Sequence, residues 1–279
     1  MPAGHRAPEK GDPVREVKCH ALATRLAHWV NVVCLLVLLP SGLQIFNAHP
    51  ALYLGKTSDF AHPILAMTAA DGPDGLVGVT TIGAHRIDTT GWLGASEVDG
   101  VMTPRGFPDW ATLPGPQWLA MGRLWHFAAA WLFAVNGALF ALWAIGRGHL
   151  RRDLLPRRAD LVAIPRTIAE HLALHFPKGE AALRYNPLQK LSYFAVIFLL
   201  GPLVLLTGLT MSPTMDAAFP GLLWLFGGRQ TARTIHFLCA FSFLGFFVIH
   251  LTMVVLSGLR NNLRAIITGR VTIEDRHAP

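Results

Sequence analysis

The sequence predicts an all-α integral membrane protein, a four-transmembrane-helix bundle with a long outer loop and both termini in the cytoplasm. Of its 279 residues, 52% are hydrophobic and only 15% are charged, which is too few charges for an ordinary soluble domain. In addition, four segments contain no Lys, Arg, Asp or Glu: 26–55, 124–146, 191–215 and 234–259. Each exceeds the roughly 20 residues with which a helix crosses a bilayer.

These segments define the expected domain plan. A cytoplasmic N-terminal arm (1–24) precedes a membrane domain (25–268), and a cytoplasmic tail (269–279) follows. The membrane domain is divided into TM1 26–46, an outer loop 47–118, TM2 119–146, a cytoplasmic loop 147–187, TM3 188–211, a second outer loop 212–231 and TM4 232–259. Helical spacing of apolar residues also predicts a short amphipathic helix at 161–176, lying on the inner membrane surface.

The distribution of charge predicts the orientation. The chain has 24 basic and 17 acidic residues, a net charge of +7. The basic residues concentrate in the arm, the 147–187 loop and the tail, whereas acidic residues outnumber basic ones in the 47–118 loop. By the positive-inside rule, the basic segments face the cytoplasm, so we expect a multi-pass membrane protein with both termini inside the cell. The charge is therefore attributed to topology and not to nucleic-acid binding.

Histidines follow arginines at the start of three of the apolar segments. The pattern is Arg-x-x-His in each case, and a fourth histidine lies deep in the last segment: Arg25 and His28, Arg123 and His126, Arg233 and His236, then His250. A histidine in hydrocarbon is costly and usually functional, and imidazole is a common axial ligand of haem iron. The sequence contains no Cys-x-x-Cys-His motif, so the expected cofactor is non-covalent haem b.

The position of each histidine along its helix predicts which histidines share a haem. Because successive helices run in opposite directions, His126 and His236 are expected near the outer surface, and His28 and His250 near the inner one. Fourteen residues separate His236 from His250, which places them about 40° apart around one helix and about 21 Å apart along it. We therefore predict two haem b groups, each with two histidine ligands.

Simpler interpretations exist for these residues. A single histidine in a helix is more often a hydrogen-bonded core residue than a ligand, although four at matched depths favour ligation. Arg25, Arg123 and Arg233 lie one helical turn from the histidines and could bind haem propionates. They could equally be ordinary interfacial anchors.

The residues around the histidines resemble those of the bacterial cytochrome b561 and hydrogenase-type cytochrome b superfamily. The resemblance covers about residues 19–268 and is strongest to thiosulfate-reductase-like cytochrome b subunits. The matching segments are RLAHWVN at 25–31, SGLQIFNAHP at 41–50, RLWHF at 123–127, YNPLQKLSY at 185–193, LTGLTMSP at 206–213 and RTIHFLCAFSFLGFFVIH at 233–250. The resemblance implies a quinone-linked electron carrier, the same four haem ligands and a redox enzyme on the outer side.

The expected function is transfer of electrons between the quinone pool and a periplasmic oxidoreductase. A molybdopterin oxidoreductase is the first expectation for the partner, with a c-type cytochrome or a hydrogenase module as alternatives. The long outer loop contains Trp92, Trp110 and Trp118, and we expect it to dock that partner, although it could be only a lid. A quinone site is expected at the inner end, where hydrogen-bonding side chains are available: Asn31, Asn186, Gln189 and Lys190.

Other functions remain open at this point. The protein could be a stand-alone quinone or superoxide oxidoreductase, or the cytochrome b anchor of a hydrogenase or formate dehydrogenase. A different class altogether is a transporter or channel whose intramembrane histidines relay protons. A visible spectrum separates this last class from the others, because a proton relay has no reason to show reduced b-haem bands.

Overall fold

Four helices in the computed structural model are long and apolar enough to cross a membrane: Leu22–Phe46, Leu119–Gly146, Pro187–Thr210 and Arg229–Leu256. Each begins and ends within a few residues of a predicted transmembrane helix. The structure describes residues 14–176, 183 and 185–274. Parts of the predicted arm, cytoplasmic loop and tail (1–13, 177–182, 184 and 275–279) lie outside the described residues.

The helices are numbered in chain order. They are α1 Leu22–Phe46, α2 Leu119–Gly146, α3 Arg158–Leu172, α4 Pro187–Phe194, α5 Gly201–Thr210, α6 Pro213–Ala218, α7 Gly221–Leu225, α8 Arg229–Leu256 and α9 Leu259–Thr268. The predicted amphipathic helix at 161–176 is present as α3, which starts earlier and ends at Leu172. It ends there because the chain turns at Leu174, which has a positive φ of 56°.

The third membrane span is not a uniform α-helix. It consists of α4, a π-helical segment Ala195–Leu200 and α5. Pro202, the second residue of α5, has no N–H and so cannot donate the hydrogen bond that an α-helix requires at this position. The wider π turns directly before it accommodate that interruption within a continuous span.

The expectation of an all-α protein is wrong for the outer loop. Residues 51–105 contain six strands, namely β2 Ala51–Leu52, β3 Leu65–Gly72, β4 Gly75–Ile82, β5 His85–Asp88, β6 Gly94–Val98 and β7 Val101–Arg105. Strands β2, β3, β4 and β5 form one antiparallel sheet in that order, and β6 pairs with β7. We call residues 47–118 the cap. The described part of the chain is thus mostly helical, with a β-structured cap.

Short turns between neighbouring strands explain why this loop forms sheets. Val98 pairs with Val101 across Asp99 and Gly100, whose φ angles are +51° and +80°. Asp-Gly is a preferred pair for such a turn, because both central residues need positive φ and the resulting twist suits a hairpin. The hairpin also packs closely on the sheet, since a Cβ on Gly78 would lie 2.2 Å from the Leu93 carbonyl oxygen.

The cap is attached to helices α1 and α8 by an apolar core and by hydrogen bonds. Phe46, Leu52, Met67 and Phe107 are buried together, with Phe237 and Phe241 packed against them. The Thr234 hydroxyl donates to the Tyr53 carbonyl (2.7 Å). The Asn47 side-chain amide donates to the Phe107 carbonyl and accepts from the Phe107 N–H. The buried Arg105 donates to the carbonyls of Phe107 and Gly115, which fixes the segment leading into α2.

The two ends of the described chain pair with each other. Strand β1 (Val14–Lys18) runs antiparallel to β8 (Arg270–Glu274), with Val14 opposite Glu274 and Lys18 opposite Arg270. The guanidinium of Arg264 on α9 binds the Glu16 carboxylate. The described parts of the predicted arm and tail thus pair as two strands of one small sheet.

The described residues fall into two compact units. The terminal unit takes its residues from 1–26, 142–194 and 248–279, and thus contains the β1–β8 sheet, α3, α4 and α9. The cap unit comprises 27–141 and 195–247, and thus contains the cap and most of the membrane-spanning helices.

Candidate functional site

His126 on α2 and His236 on α8 lie together in the cap unit. Their ring centroids are 6.1 Å apart and their planes are inclined by 63°. Imidazole nitrogens bind metals at about 2 Å, so two imidazoles on opposite sides of one iron have ring centres roughly 6 Å apart. The structure thus brings together the pair that the depth argument predicted, at a separation that suits one shared iron.

The Nδ1 atom of His126 is held by α1. It lies 3.1 Å from the Leu38 carbonyl oxygen and 3.1 Å from the Ser41 hydroxyl oxygen. The Ser41 hydroxyl hydrogen is directed to the Val37 carbonyl (2.6 Å), so Nδ1 carries the proton and donates. The opposite nitrogen, Nε2, therefore keeps its lone pair and is the one able to bind iron.

The Nδ1 atom of His236 is held by α5 in the same way. It lies 2.9 Å from the Val204 carbonyl oxygen and 3.3 Å from the Thr207 hydroxyl oxygen. Thr207 donates its own hydrogen to the Leu203 carbonyl (2.8 Å), so His236 is also fixed with the proton on Nδ1. Both Ser41 and Thr207 are fully buried, which keeps water from competing for these bonds.

A glycine follows each of these hydroxyl residues and makes room for the imidazole. A Cβ on Gly42 would lie 3.3 Å from Cε1 of His126, and a Cβ on Gly208 would lie 3.2 Å from Cε1 of His236. Either contact is tight enough to displace the ring. The donor set and the glycine contacts fit a haem held by two neutral imidazoles, each oriented by a neighbouring helix.

The sequence argument missed these six orienting residues. The same pattern occurs on both helices: a residue whose main-chain carbonyl accepts from the histidine, then Ser or Thr three positions later, with Gly directly after it. It is formed by Leu38, Ser41 and Gly42 on α1 and by Val204, Thr207 and Gly208 on α5. The two segments, SGL at 41–43 and TGL at 207–209, lie on different helices and are alike. Pattern analysis limited to ionisable residues does not find them.

His28 and His250 lie in different compact units, His28 in the cap unit and His250 in the terminal unit. Each is half-buried, and the His28 ring packs edge-on against Trp29 at 5.4 Å. Helix α8 is unbroken from His236 to His250, so the predicted rise of about 21 Å along it applies. The pairing of His28 with His250 on a second iron stays a prediction.

Asn136 on α2 holds the segment of α1 on both sides of His28. Its Nδ2 donates to the Ala27 carbonyl (3.0 Å) and to the Asn31 side-chain oxygen (2.8 Å). Asn31, one of the expected quinone residues, is therefore an internal hydrogen-bond acceptor. A partly buried amide pair of this kind fixes two helices against each other.

The three arginines have different surroundings. Arg233 donates to the His49 carbonyl and lies over the Phe46 ring, 5.3 Å from its centroid. Arg123 lies over the Phe127 ring at 5.5 Å, and Arg25 donates to the Ile267 carbonyl. A guanidinium has five N–H donors, so these contacts leave propionate binding as a prediction for all three.

The remaining expected quinone residues bind one another or α3 within the terminal unit. Asn186 and Gln189 exchange side-chain-to-main-chain bonds and so cap the start of α4. The Lys190 ammonium lies 3.1 Å from the Asp160 carboxylate, and both groups are largely buried. The Arg157 N–H and then Lys190 hold the pKa of Asp160 below its usual value. The quinone role of these residues stays a prediction.

An additional cluster of ionisable and aromatic side chains lies in the terminal unit. His149, just beyond α2, donates from Nδ1 to the Asp153 carboxylate at 2.7 Å, and its ring packs against Trp143 at 5.2 Å. His20 stacks on Tyr185 at 6.4 Å, with an angle of 18° between the rings. The sequence argument missed this cluster, because His149 stands in a basic, apparently solvent-facing segment.

Comparison with known proteins identifies a matching family and a relative. The family described as prokaryotic cytochrome b561 matches residues 90–269. A protein of Azospira oryzae that is named as a protein-methionine-sulfoxide reductase subunit, YedZ1, is 27% identical over 233 residues, which cover 83% of this chain and 87% of that protein. No solved structure matches the chain.

Proposed function

The chain belongs to the prokaryotic cytochrome b561 family, and it is therefore a multi-pass, haem b-binding subunit of the inner membrane; we propose that it transfers electrons between the quinone pool and a periplasmic oxidoreductase. The observation that carries this proposal is the His126–His236 pair, with ring centroids 6.1 Å apart. Two neutral imidazoles that held one haem would leave its iron no free coordination position, and the haem would then supply electron transfer.

We propose two haem b groups, an outer one held by His126 and His236 and an inner one held by His28 and His250. Haem b supplies a one-electron carrier when bound. The protein's own contribution at the outer site is orientation, because main-chain carbonyls of α1 and α5 set the tautomer of each histidine. The buried hydroxyls of Ser41 and Thr207 add polar contacts to the same rings.

The proposed partner is a periplasmic oxidoreductase with a molybdopterin cofactor. The name of the Azospira oryzae relative, a sulfoxide reductase subunit, supports a membrane subunit that serves a reductase. The cap offers the docking surface, since Trp92 and Trp110 form an edge-to-face pair at 6.1 Å and both side chains are mostly exposed. Exposed aromatic residues are frequent anchors of protein interfaces. A c-type cytochrome or a hydrogenase module is the alternative partner.

The proposed orientation places the arm, the 147–187 loop and the tail in the cytoplasm and the cap in the periplasm. The basic arm, the 147–187 loop and the tail support it through the positive-inside rule. A quinone site near Asn31, Asn186, Gln189 and Lys190 would then lie on the inner side and the partner on the outer side. Electrons would have to pass through both haems.

Reconstitution into lipid vesicles tests this function. Quinol added to the purified protein should reduce both haems, and a periplasmic extract with an oxidised substrate such as a sulfoxide should reoxidise them. The His126→Ala variant should retain quinol-dependent reduction of the remaining haem but lose reoxidation by the extract. Haems that no quinol reduces would exclude the quinone-linked function. Reoxidation without any extract, by oxygen alone, would favour a stand-alone oxidoreductase.

A further inference from the structure

The His149–Asp153 pair is a partly buried base with one nitrogen still available. The Asp153 carboxylate accepts from Nδ1–H of His149 at 2.7 Å, which leaves the lone pair on Nε2. That Nε2 atom is buried and has no hydrogen-bond partner among the residues that the structure describes. A buried polar atom without a partner is costly, and such atoms often mark the position of a ligand.

Aromatic and ionisable groups surround this base within the terminal unit. The Trp143 ring lies 5.2 Å from the His149 ring, and the Tyr185 ring packs between His20 and Tyr193. Burial, reinforced by Tyr193, Asp153 and Cys19, raises the pKa of Tyr185, so its hydroxyl keeps its proton. Burial and then the charges of His149 and Arg25 lower the pKa of His20, so His20 is neutral at neutral pH.

We infer that His149, positioned by Asp153, is the proton acceptor for a quinol head group bound at the inner end of α2. This inference rests on the proposed function, in which quinol supplies the electrons. Oxidation of a quinol to a quinone releases two electrons and two protons, and haem takes only the electrons. A base in contact with the quinol hydroxyl is therefore required at that site.

An O–H bond of the quinol would break and an N–H bond would form on Nε2 of His149, while bound haem b would accept one electron. The Asp153 carboxylate would stabilise the resulting imidazolium, as a carboxylate does for a catalytic histidine. His149 would then release its proton to water, since Asp153 is partly exposed. Once the haem had passed its electron to the periplasmic partner, the second proton and electron would follow by the same route and the quinone would leave.

Charged and titratable side chains from several elements lie around the His149–Asp153 pair. Asp153 and Arg152 belong to the π-helical turn Leu150–Leu154. His20 and Cys19 follow β1, Arg25 belongs to α1, and Tyr185 precedes α4. Of these, Asp153 is the only carboxylate among the described residues of the cluster. Asp153 is therefore the acidic group that orients the His149 ring.

The test uses the purified haem-loaded protein and three variants. The His149→Gln variant should slow haem reduction by menadiol about 100-fold, the lower range for loss of a general base, with an unchanged dithionite-reduced spectrum. It should also weaken binding of the quinol-site inhibitor 2-heptyl-4-hydroxyquinoline N-oxide, followed by fluorescence, about tenfold. The His62→Gln variant is the matched control, because His62 pairs with Asp59 at 3.0 Å in the same way but on the exposed cap.

The Asp153→Asn variant separates proton acceptance from a structural role. Without the carboxylate the imidazolium is less stable, so the pH at which the menadiol rate reaches half its maximum should move to lower pH while folding is retained. A His149→Gln variant with wild-type reduction rate and inhibitor binding would overturn the inference, as would an unmoved pH profile in Asp153→Asn. If menadiol did not reduce the haems of the wild-type protein, the proposed function itself would be wrong.

Discussion

The carbonyl oxygen of Val204 lies 2.9 Å from Nδ1 of His236. The acceptor is a main-chain atom, so no single side-chain substitution removes it. The same holds for Leu38 and His126 on the other side of the site. The tautomer of both candidate ligands is thus set by the approach of one helix to another, which depends on Gly42 and Gly208.

Gly208→Ala should displace the His236 ring, because the new Cβ would lie 3.2 Å from Cε1. We expect loss or spectral change of the outer haem, measured as haem per protein and as the width of the α-band, with the inner haem retained. Gly245→Ala is the control, since a Cβ there has no heavy atom within 4 Å. A Gly208→Ala protein with both haems unchanged would show that the glycine does not determine the site.

Each substitution of a candidate ligand should remove one of the two haems. His126→Ala and His236→Ala should each abolish the outer haem, whereas His28→Ala and His250→Ala should abolish the inner one, because a haem with one lost axial ligand is weakly held. Quantitative pyridine haemochrome analysis should give half the wild-type haem content for every variant. Two low-spin haems in any of the four would contradict the pairing.

The topology follows from the charge distribution and can be read with reporters. Fusion of a reporter after Arg158 should indicate a cytoplasmic location, and fusion near Asp99, in the β6–β7 turn, should indicate a periplasmic one. Alkaline phosphatase and a fluorescent protein give complementary signals at the two positions. The reverse pattern would exchange the inner and outer assignments for both haems.

Substitution of Trp92 and Trp110 by Ala should uncouple the haems from the external partner. Both rings are mostly exposed, so we expect little loss of fold stability and unchanged spectra, with slower reoxidation by the periplasmic extract. Exposed Phe60, elsewhere on the cap, gives the matched control Phe60→Ala. If the double variant were reoxidised at the wild-type rate, the tryptophans would not form the docking surface.

The sequence was sufficient to locate the membrane spans and the candidate ligands, and insufficient for the cap. A bilayer imposes long charge-free segments, and a buried imidazole is rare enough to be informative, so α2 was predicted at the residues where it occurs. Several cap strands contain Gly residues, which weaken the strand signal, and the informative Asp99-Gly100 pair was overlooked. The His149–Asp153 contact depends on the π-helical turn Leu150–Leu154, which a search for α-helical periodicity does not anticipate.

The antiparallel pairing of Val14 with Glu274 has a consequence for biosynthesis. The partner strand of the first described residues is made only after all four membrane spans have been synthesised. The β1–β8 ladder can therefore close only once Arg270–Glu274 has been made, together with the bond from Arg25 to Ile267. A polypeptide that stops before Arg270 keeps an unpaired strand edge on β1, and such an edge is available to other chains and to cellular quality control.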